Sequence, residues 1–173
     1  MSVPSAPRVS VLFVCLGNIC RSTMAEGVFC HLSRSNPLIS SVDSCGTGAY
    51  HALEPPDTRT ISVLEDNGIT NYDHGARRIQ TSDFTRFDYI LAMDRYNLRD
   101  LERLRRKIAG KKGAGETDVG QVMLFGDFGG KAGEEVIDPY YGARDGFEVA
   151  YEQMVRFSKG FLAAMADRAT EKS

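Results

Sequence analysis

The sequence predicts an α/β fold, an open four-stranded parallel sheet with helices on both faces. Three observations carry the prediction. Val9 to Val14 is an unbroken run dominated by β-branched and apolar residues, the pattern of a strand buried on both faces. From Thr23 the apolar residues change to a four-residue spacing. The same alternation of strand and helix then recurs to the end of the chain, which implies βαβ crossovers.

The elements follow in order. Met24, Val28 and Leu32, with Ala25 and Phe29 beside them, give the first helix one apolar face. Leu38 to Asp43 reads as the second strand, and the turn "SCGTGAYH" and the breaker pair "EPP" follow it. Asp57 to Asn67 is helical, closed by Gly68, which tolerates the left-handed backbone past a helix end. "FDYILAM", Phe87 to Met93, is the third strand. A helix over Arg95 to Lys107 presents Leu98, Leu101 and Leu104 to the sheet. The polar, glycine-rich stretch from Gly110 to Gly120 is a loop, "QVMLF" is the fourth strand, and residues 126–137 are irregular. Phe147, Tyr151, Met154, Phe161 and Met165 mark a long closing helix over Asp145 to Met165.

Composition narrows the function. With 173 residues, 42% of them hydrophobic, the chain can bury roughly 70% of its unfolded surface and needs no metal or disulfide staple. The four cysteines, at 15, 20, 30 and 45, include no CxxC and no Cys/His spacing of a zinc site, so no metal is expected. The N-terminus lacks the pattern of a signal peptide, and Val9 to Leu16 is too short to span a bilayer. A cytoplasmic location with free thiols and no membrane association follows. A net charge of −2 argues against nucleic-acid binding, although one local site can still hold an anion.

Such a site belongs where a parallel strand ends, and the first strand ends at Cys15. Cys15 to Arg21 reads C-x5-R, with Ser22 next. If the turn wraps with its amides inward, residues 16–21 offer a ring of N–H donors, and the helix beginning near Ser22 adds its positive end. Arg21 supplies a two-pronged donor for phosphate oxygens. Cys15 at the floor feels that positive field, which favours its thiolate and makes it a nucleophile aimed at phosphorus. A nucleotide-binding P-loop is excluded because no G-K-[ST] follows Gly17. In an isolated C-x5-R the thiols are ordinarily core residues and the arginine a surface charge. The preceding strand, the glycine and asparagine within the turn and the helix after it reverse that reading.

"VLFVCLGNICRS", together with "FDYILAMDRYNLRDL" and "DPYYG", closely resembles the low-molecular-weight protein tyrosine phosphatases over nearly the whole chain. The resemblance implies a flavodoxin-like, Rossmann-like sheet, no cofactor, and hydrolysis of phosphotyrosine and small aryl phosphates through a cysteinyl-phosphate, with acid phosphatase activity. It implies a single catalytic domain over 9–167, between tails at 1–8 and 168–173. Phosphotyrosine proteins are the implied partners, with inorganic phosphate or another oxyanion in the site. The implied catalytic residues are Cys15 as nucleophile, Arg21 as clamp and Asp138 as general acid. Leu16, Gly17, Asn18, Ile19, Cys20 and Ser22 would bind phosphate, and Tyr50, Tyr140 and Tyr141 would flank the substrate ring. Ser44 and His74, with Asn18 and Ser22, would hold the loop in shape. Chemistry agrees for Asp138: a phenolate whose conjugate acid has a pKa of about 10 leaves poorly unless a carboxylic acid protonates it.

Thr23 stands where that family usually has proline, a departure the helix start tolerates. The loops over 110–120 and 126–137 are longer than usual and bear on the rim. Related arsenate reductases need downstream cysteines, and none follows Cys45. Arginine phosphatases typically carry threonine where this loop has Ile19, whose apolar branch suits an aryl ester. A silent phosphotyrosine-binding module is disfavoured by Cys15, Arg21 and Asp138 occurring together. Cys15 and Cys20 could also form a redox-sensitive pair.

Overall fold

The computed structural model describes residues 7–48, 50–112, 119–141 and 145–172, with the side chains of 111, 112 and 141 excepted. Strands β1 (Val9–Cys15), β2 (Ile39–Gly46), β3 (Tyr89–Ala92) and β4 (Gln121–Leu124) form one parallel sheet in the order β2-β1-β3-β4. Helices α1 (Arg21–Ser33), α2 (Thr58–Asp66), α3 (Asp83–Arg86), α4 (Arg95–Lys112) and α5 (Gly146–Glu171) complete it, with short 3-10 turns at Phe125–Phe128 and Pro139–Tyr141.

Alternate residues of β1 feed two cores. Val11, Phe13 and Cys15 face the α1 and α5 side, and Leu12 and Val14 face the side of α3 and α4. That is why the strand reads as continuously apolar rather than alternating. The first core is built on aromatic edge contacts: Phe13 meets Phe29 at 5.3 Å and Phe125 at 4.9 Å, and Phe161 meets both Phe29 and Tyr89. From β1 the chain first adds β2 on one side and then β3 on the other. The reversal leaves a crevice at the carboxyl end of β1, where ligands of such sheets bind.

Several boundaries differ from expectation. Helix α1 is not a one-faced surface helix: Arg21 to Phe29 are all buried, because the helix lies among β1, β2, α2 and α5, whereas Leu32 is exposed. Strand β2 runs on through Ser44 to Gly46, whereas β3 and β4 are shorter than their apolar runs because Phe87, Met93 and Phe125 are buried beyond the ladder. Helix α2 starts at Thr58, with Asp57 capping it through Arg59 N at 2.9 Å. Residues 110–112 of the expected loop continue α4, and 113–118 lie outside the described residues. Helix α5 continues to Glu171, so residues 168–171, expected in a tail, are helical, and the Arg168 guanidinium packs 5.6 Å from the Tyr89 ring centroid. Among the described residues no helix is long and apolar enough to cross a membrane.

Candidate active site

The loop from Cys15 to Arg21 is held from outside by its carbonyl groups. Cys15 O and Leu16 O accept from Thr47 N and Gly48 N at 2.9 and 3.0 Å, and Ile19 O accepts from Asp57 N at 2.8 Å. Cys20 O accepts from Met24 N and from the Thr23 hydroxyl, both at 3.0 Å. In a trans peptide the next N–H points away from the carbonyl, in the opposite direction within the peptide plane. The amides of residues 16, 17, 20 and 21 therefore turn toward the inside of the loop, where an anion would lie. Gly46 is the close approach that permits this wall, since a Cβ there would meet Leu16 O at 2.6 Å.

Asn18 forms the pivot. Its backbone sits in the left-handed region, φ 58°, which asparagine tolerates better than most residues. Its N–H donates to Cys15 Sγ at 3.3 Å, and the Ser22 hydroxyl lies 3.0 Å from the same sulfur. Its amide donates to Ser22 Oγ and Ser44 Oγ at 2.8 and 3.0 Å, and its carbonyl accepts from Arg77 N at 3.0 Å and contacts His74 Nε2 at 2.8 Å. Asn18, Ser22, Ser44 and His74 thus lie in one hydrogen-bonded network behind the sulfur.

Arg21 is 4% exposed. Its Nη1 donates to Asp94 Oδ2 at 2.6 Å and to Val136 O at 3.1 Å, leaving Nη2 3.5 Å from Asp138 Oδ2. Its pKa is raised above the ordinary guanidinium value despite the opposing effect of burial, because the Cys15 sulfur, Asp94 and Asp138 surround it. Asp138 sits at the mouth, half-buried, where its Oδ1 accepts from Tyr140 N at 3.0 Å and starts the 3-10 turn.

A cavity of about 340 Å³ opens over the loop, lined by Cys15, Leu16, Gly17, Ile19, Cys20, Arg21, Tyr50, His51, Asp138 and Tyr140. Tyr50 and Tyr140 form its rim. The Tyr50 ring stands over Gly48, and the Arg59 guanidinium lies 5.3 Å from the Tyr140 centroid and 4.6 Å from that of Phe147. The backbone of Tyr141 follows Tyr140, but its side chain lies outside the described residues. Cys20 lines the same cavity, and burial, followed by the charge of Asp57, pushes its thiol well above the ordinary range. All four cysteines are free.

Sequence reasoning missed Asp94, His51, Glu26, Tyr72 and Arg77. Asp94 had a signal, since it directly follows the third strand at the carboxyl edge of the sheet. His51 adjoins Tyr50. Glu26 had none, because a glutamate inside a helix reads as a surface charge until the helix proves buried. Glu26, Asp43 and His74 bring one potential metal-ligand atom each within 4.8 Å of one another. Glu26 Oε1 accepts from Ser44 and Tyr72, Asp43 Oδ1 accepts from Ser44 N, and the far ring nitrogen of His74 contacts Asn18, which makes the group a hydrogen-bonded brace rather than an open metal centre.

Comparison with known proteins agrees with this geometry. The family model for low molecular weight phosphotyrosine protein phosphatase matches residues 10–171. The phosphatase of that name from Schizosaccharomyces pombe is 46% identical over 163 residues, covering 92% of this chain and 98% of its own. The crystal structure of a protein tyrosine phosphatase from Entamoeba histolytica, with Hepes in the active site, superposes with a TM-score of 0.77 at 32% identity, covering 92% and 97%. A Drosophila arginine phosphatase superposes with a TM-score of 0.79 at 34% identity, covering 89% and 96%. With the sheet order, the anion-binding turn and 162 consecutive residues accounted for by one family model, the chain belongs to the low molecular weight phosphotyrosine protein phosphatase family.

Proposed function

We propose that this protein hydrolyses phosphotyrosine in proteins, and small aryl phosphates, by way of a phosphate ester on Cys15. The observation that carries the reading is the convergence of Cys15 Sγ, the inward amides of the loop, Arg21 Nη2 and Asp138 on one cavity. The substrate phosphate occupies the loop, with the amide ring and Arg21 opposing its negative charge. Cys15 thiolate attacks phosphorus in line with the aryl oxygen. As the P–O bond breaks, Asp138 gives its proton to the departing phenolate. Asp138, now a carboxylate, removes a proton from a water that attacks the cysteinyl-phosphate. The P–S bond breaks, inorganic phosphate leaves and the thiolate is restored, with the Ser22 hydroxyl 3.0 Å away to support its charge. No cofactor enters these steps.

Tyr50, Tyr140 and Tyr141 are assigned to the aryl ring, and Ile19 to the floor beside it. Phosphoarginine is the second reading, favoured by the likeness to an arginine phosphatase. Turnover of phosphotyrosine, phosphoserine and phosphoarginine peptides, side by side and with a chelator present, tests both. Phosphotyrosine should lead by a wide margin, and Ile19→Thr should raise phosphoarginine turnover relative to it. A lead for phosphoarginine in the parent would overturn the assignment. Oxidation of Cys15 to a sulfenic acid, followed by capture by Cys20 as a disulfide, is a second proposed property, and Cys20→Ser should then recover less activity after peroxide and thiol. The free cysteines support a reducing, cytoplasmic location.

A further inference from the structure

Two apolar side chains stand outside the cavity on the segments that form its rim. Leu53 is 87% exposed and Ile137 84%, and neither lines the space over the phosphate loop. Leu53 ends the turn that carries Tyr50 and His51, and Ile137 directly precedes Asp138. Isolated surface leucines are ordinary, but the backbone of this one is not. Its φ is 68°, in the left-handed region that is costly for a leucine, whose side chain offers no local hydrogen bond in return. The conformation is imposed from both sides: Leu53 N donates to Ala76 O at 2.7 Å, Ala76 N donates to Glu54 O at 2.9 Å, and Glu54 N donates to His51 O at 2.9 Å. The fold thus holds a strained leucine rigidly in solvent and recovers no burial from it. Ile137 is equally fixed. Val136 before it is buried, its N–H donating to Met93 O at 2.9 Å and its carbonyl accepting from Arg21 at 3.1 Å, and the side chain that follows stands in solvent.

We propose that Leu53 and Ile137 form a specificity surface for the polypeptide around the phosphotyrosine, selecting substrates with apolar side chains two residues before and two residues after it. The inference rests on the phosphotyrosine reading of the cavity. A phosphotyrosine whose ring lies between Tyr50 and Tyr140 leaves its own backbone at the mouth, where the segments bearing Leu53 and Ile137 continue the walls. In an extended chain alternate side chains share a face, so the residues two before and two after point the same way as the phosphotyrosine, about 7 Å to either side along the chain. Those are the side chains that meet the rim. Leu16 and the exposed Tyr50 ring extend the same apolar surface. Charge agrees with this choice. Among the described residues of 50–59 and 137–141, the basic groups are His51 and Arg59. His51 Nδ1 lies 2.8 Å from Glu54 Oε2, and Arg59 donates to Asp57 through Nε and Nη2, both at 3.0 Å. Both are engaged by acids of the same segment, so the rim offers little to an acidic sequence, and the exposed Glu54 carboxylate opposes one.

The test compares phosphotyrosine peptides that carry Leu, Ser or Glu at both of those positions, with phenyl phosphate, which ends inside the cavity, as the reference. The leucine peptide should exceed the serine peptide about tenfold in kcat/KM, mostly through KM, since contacts away from the reacting atoms bind substrate and transition state alike. The glutamate peptide should fall below the serine peptide. Leu53→Asn keeps a residue that accepts the left-handed backbone and removes the apolar surface, so it should melt no lower than the parent while the leucine preference drops to about threefold. Ile137→Ser should lower the preference equally, and the double variant should not distinguish leucine from serine. Equal kcat/KM for those two peptides in the parent overturns the inference, as does a preference that survives in the double variant, or turnover of phenyl phosphate with none of any peptide. A variant that loses phenyl phosphate turnover in step with peptide turnover assigns its residue to upkeep of the catalytic loop, which also overturns it. Sedimentation at the assay concentration addresses the other occupant: a dimer that Leu53→Asn dissolves gives the surface to a second copy of this chain, against the inference. Lack of turnover of phenyl phosphate and of every peptide alike would instead overturn the phosphotyrosine reading, and the inference with it.

Discussion

Arg21 is braced before any substrate arrives, with one prong on Asp94 and Val136 and the other toward the mouth beside Asp138. A lysine there supplies a point charge that can satisfy one partner but not the fork. Arg21→Lys should therefore lower kcat by roughly 10²- to 10³-fold on phosphotyrosine, a loss of the size of one transition-state donor. Steady-state kinetics with matched thermal melts would separate this from unfolding. Asp138 makes a different prediction, because a proton donor matters only when the leaving oxygen needs its proton. Asp138→Asn should lose roughly 10²-fold or more on phenyl phosphate and much less on an aryl phosphate with a strongly electron-withdrawing ring. An equal loss on both would reduce Asp138 to a residue that starts the 3-10 turn through Tyr140 N. Cys15, Arg21 and Ser22 were legible in the sequence because a contiguous turn brings them together. Asp94 was not, since its partnership with Arg21 depends on β3 lying beside β1.

At the scale of elements, the loop depends on Asn18 as both a backbone and a side-chain residue. Asn18→Gly keeps the left-handed backbone and loses the hydrogen bonds, whereas Asn18→Ala loses both. The alanine variant should be less stable than the glycine variant by about 1 kcal/mol, read from urea midpoints, while both lose most of their activity. Packing of α5 offers a sharper test. A Cβ on Gly160 would lie 1.8 Å from Phe128 O in the 3-10 turn after β4, so Gly160→Ala must push helix and turn apart. A cost of about 2–3 kcal/mol and a clear drop in Tm are expected, although alanine is the better helix former. Periodicity located all four strands and the four long helices, because strand and helix periods are local properties. It could not tell that α1 is enclosed on most sides. Arg21, Ser22, Thr23 and Glu26 look like a polar face in sequence, and their burial follows from α2 and α5 closing over them. Helix α3 and the end of α4 were missed for a related reason. Four residues carry no period, and Gly110, Lys111 and Lys112 have the composition of a loop.

For the whole molecule, burial of Glu26 ties stability to pH. Its folded pKa is raised, from 4.5 to about 7, so the associated stability is complete below the unfolded value and is lost as pH rises through the folded one. Glu26→Gln does not titrate and should gain on the parent across that interval, by up to about 3 kcal/mol. Denaturation midpoints of both proteins at pH 4.5 and pH 8 would measure it, and an unchanged difference would remove the linkage. A further consequence lies in the reach of the contacts at Arg21. Its partners Asp94 and Val136 are 73 and 115 residues away along the chain. No early, local fragment can therefore assemble the clamp: β1 and α1 form one unit, but the guanidinium is aligned only when β3 has joined the sheet and the segment before Asp138 has been laid across its end. Non-local closures of this kind come late. In refolding from urea, recovery of phosphatase activity should lag behind recovery of helical signal and coincide with the slowest phase, so that the enzyme reports on its own completion.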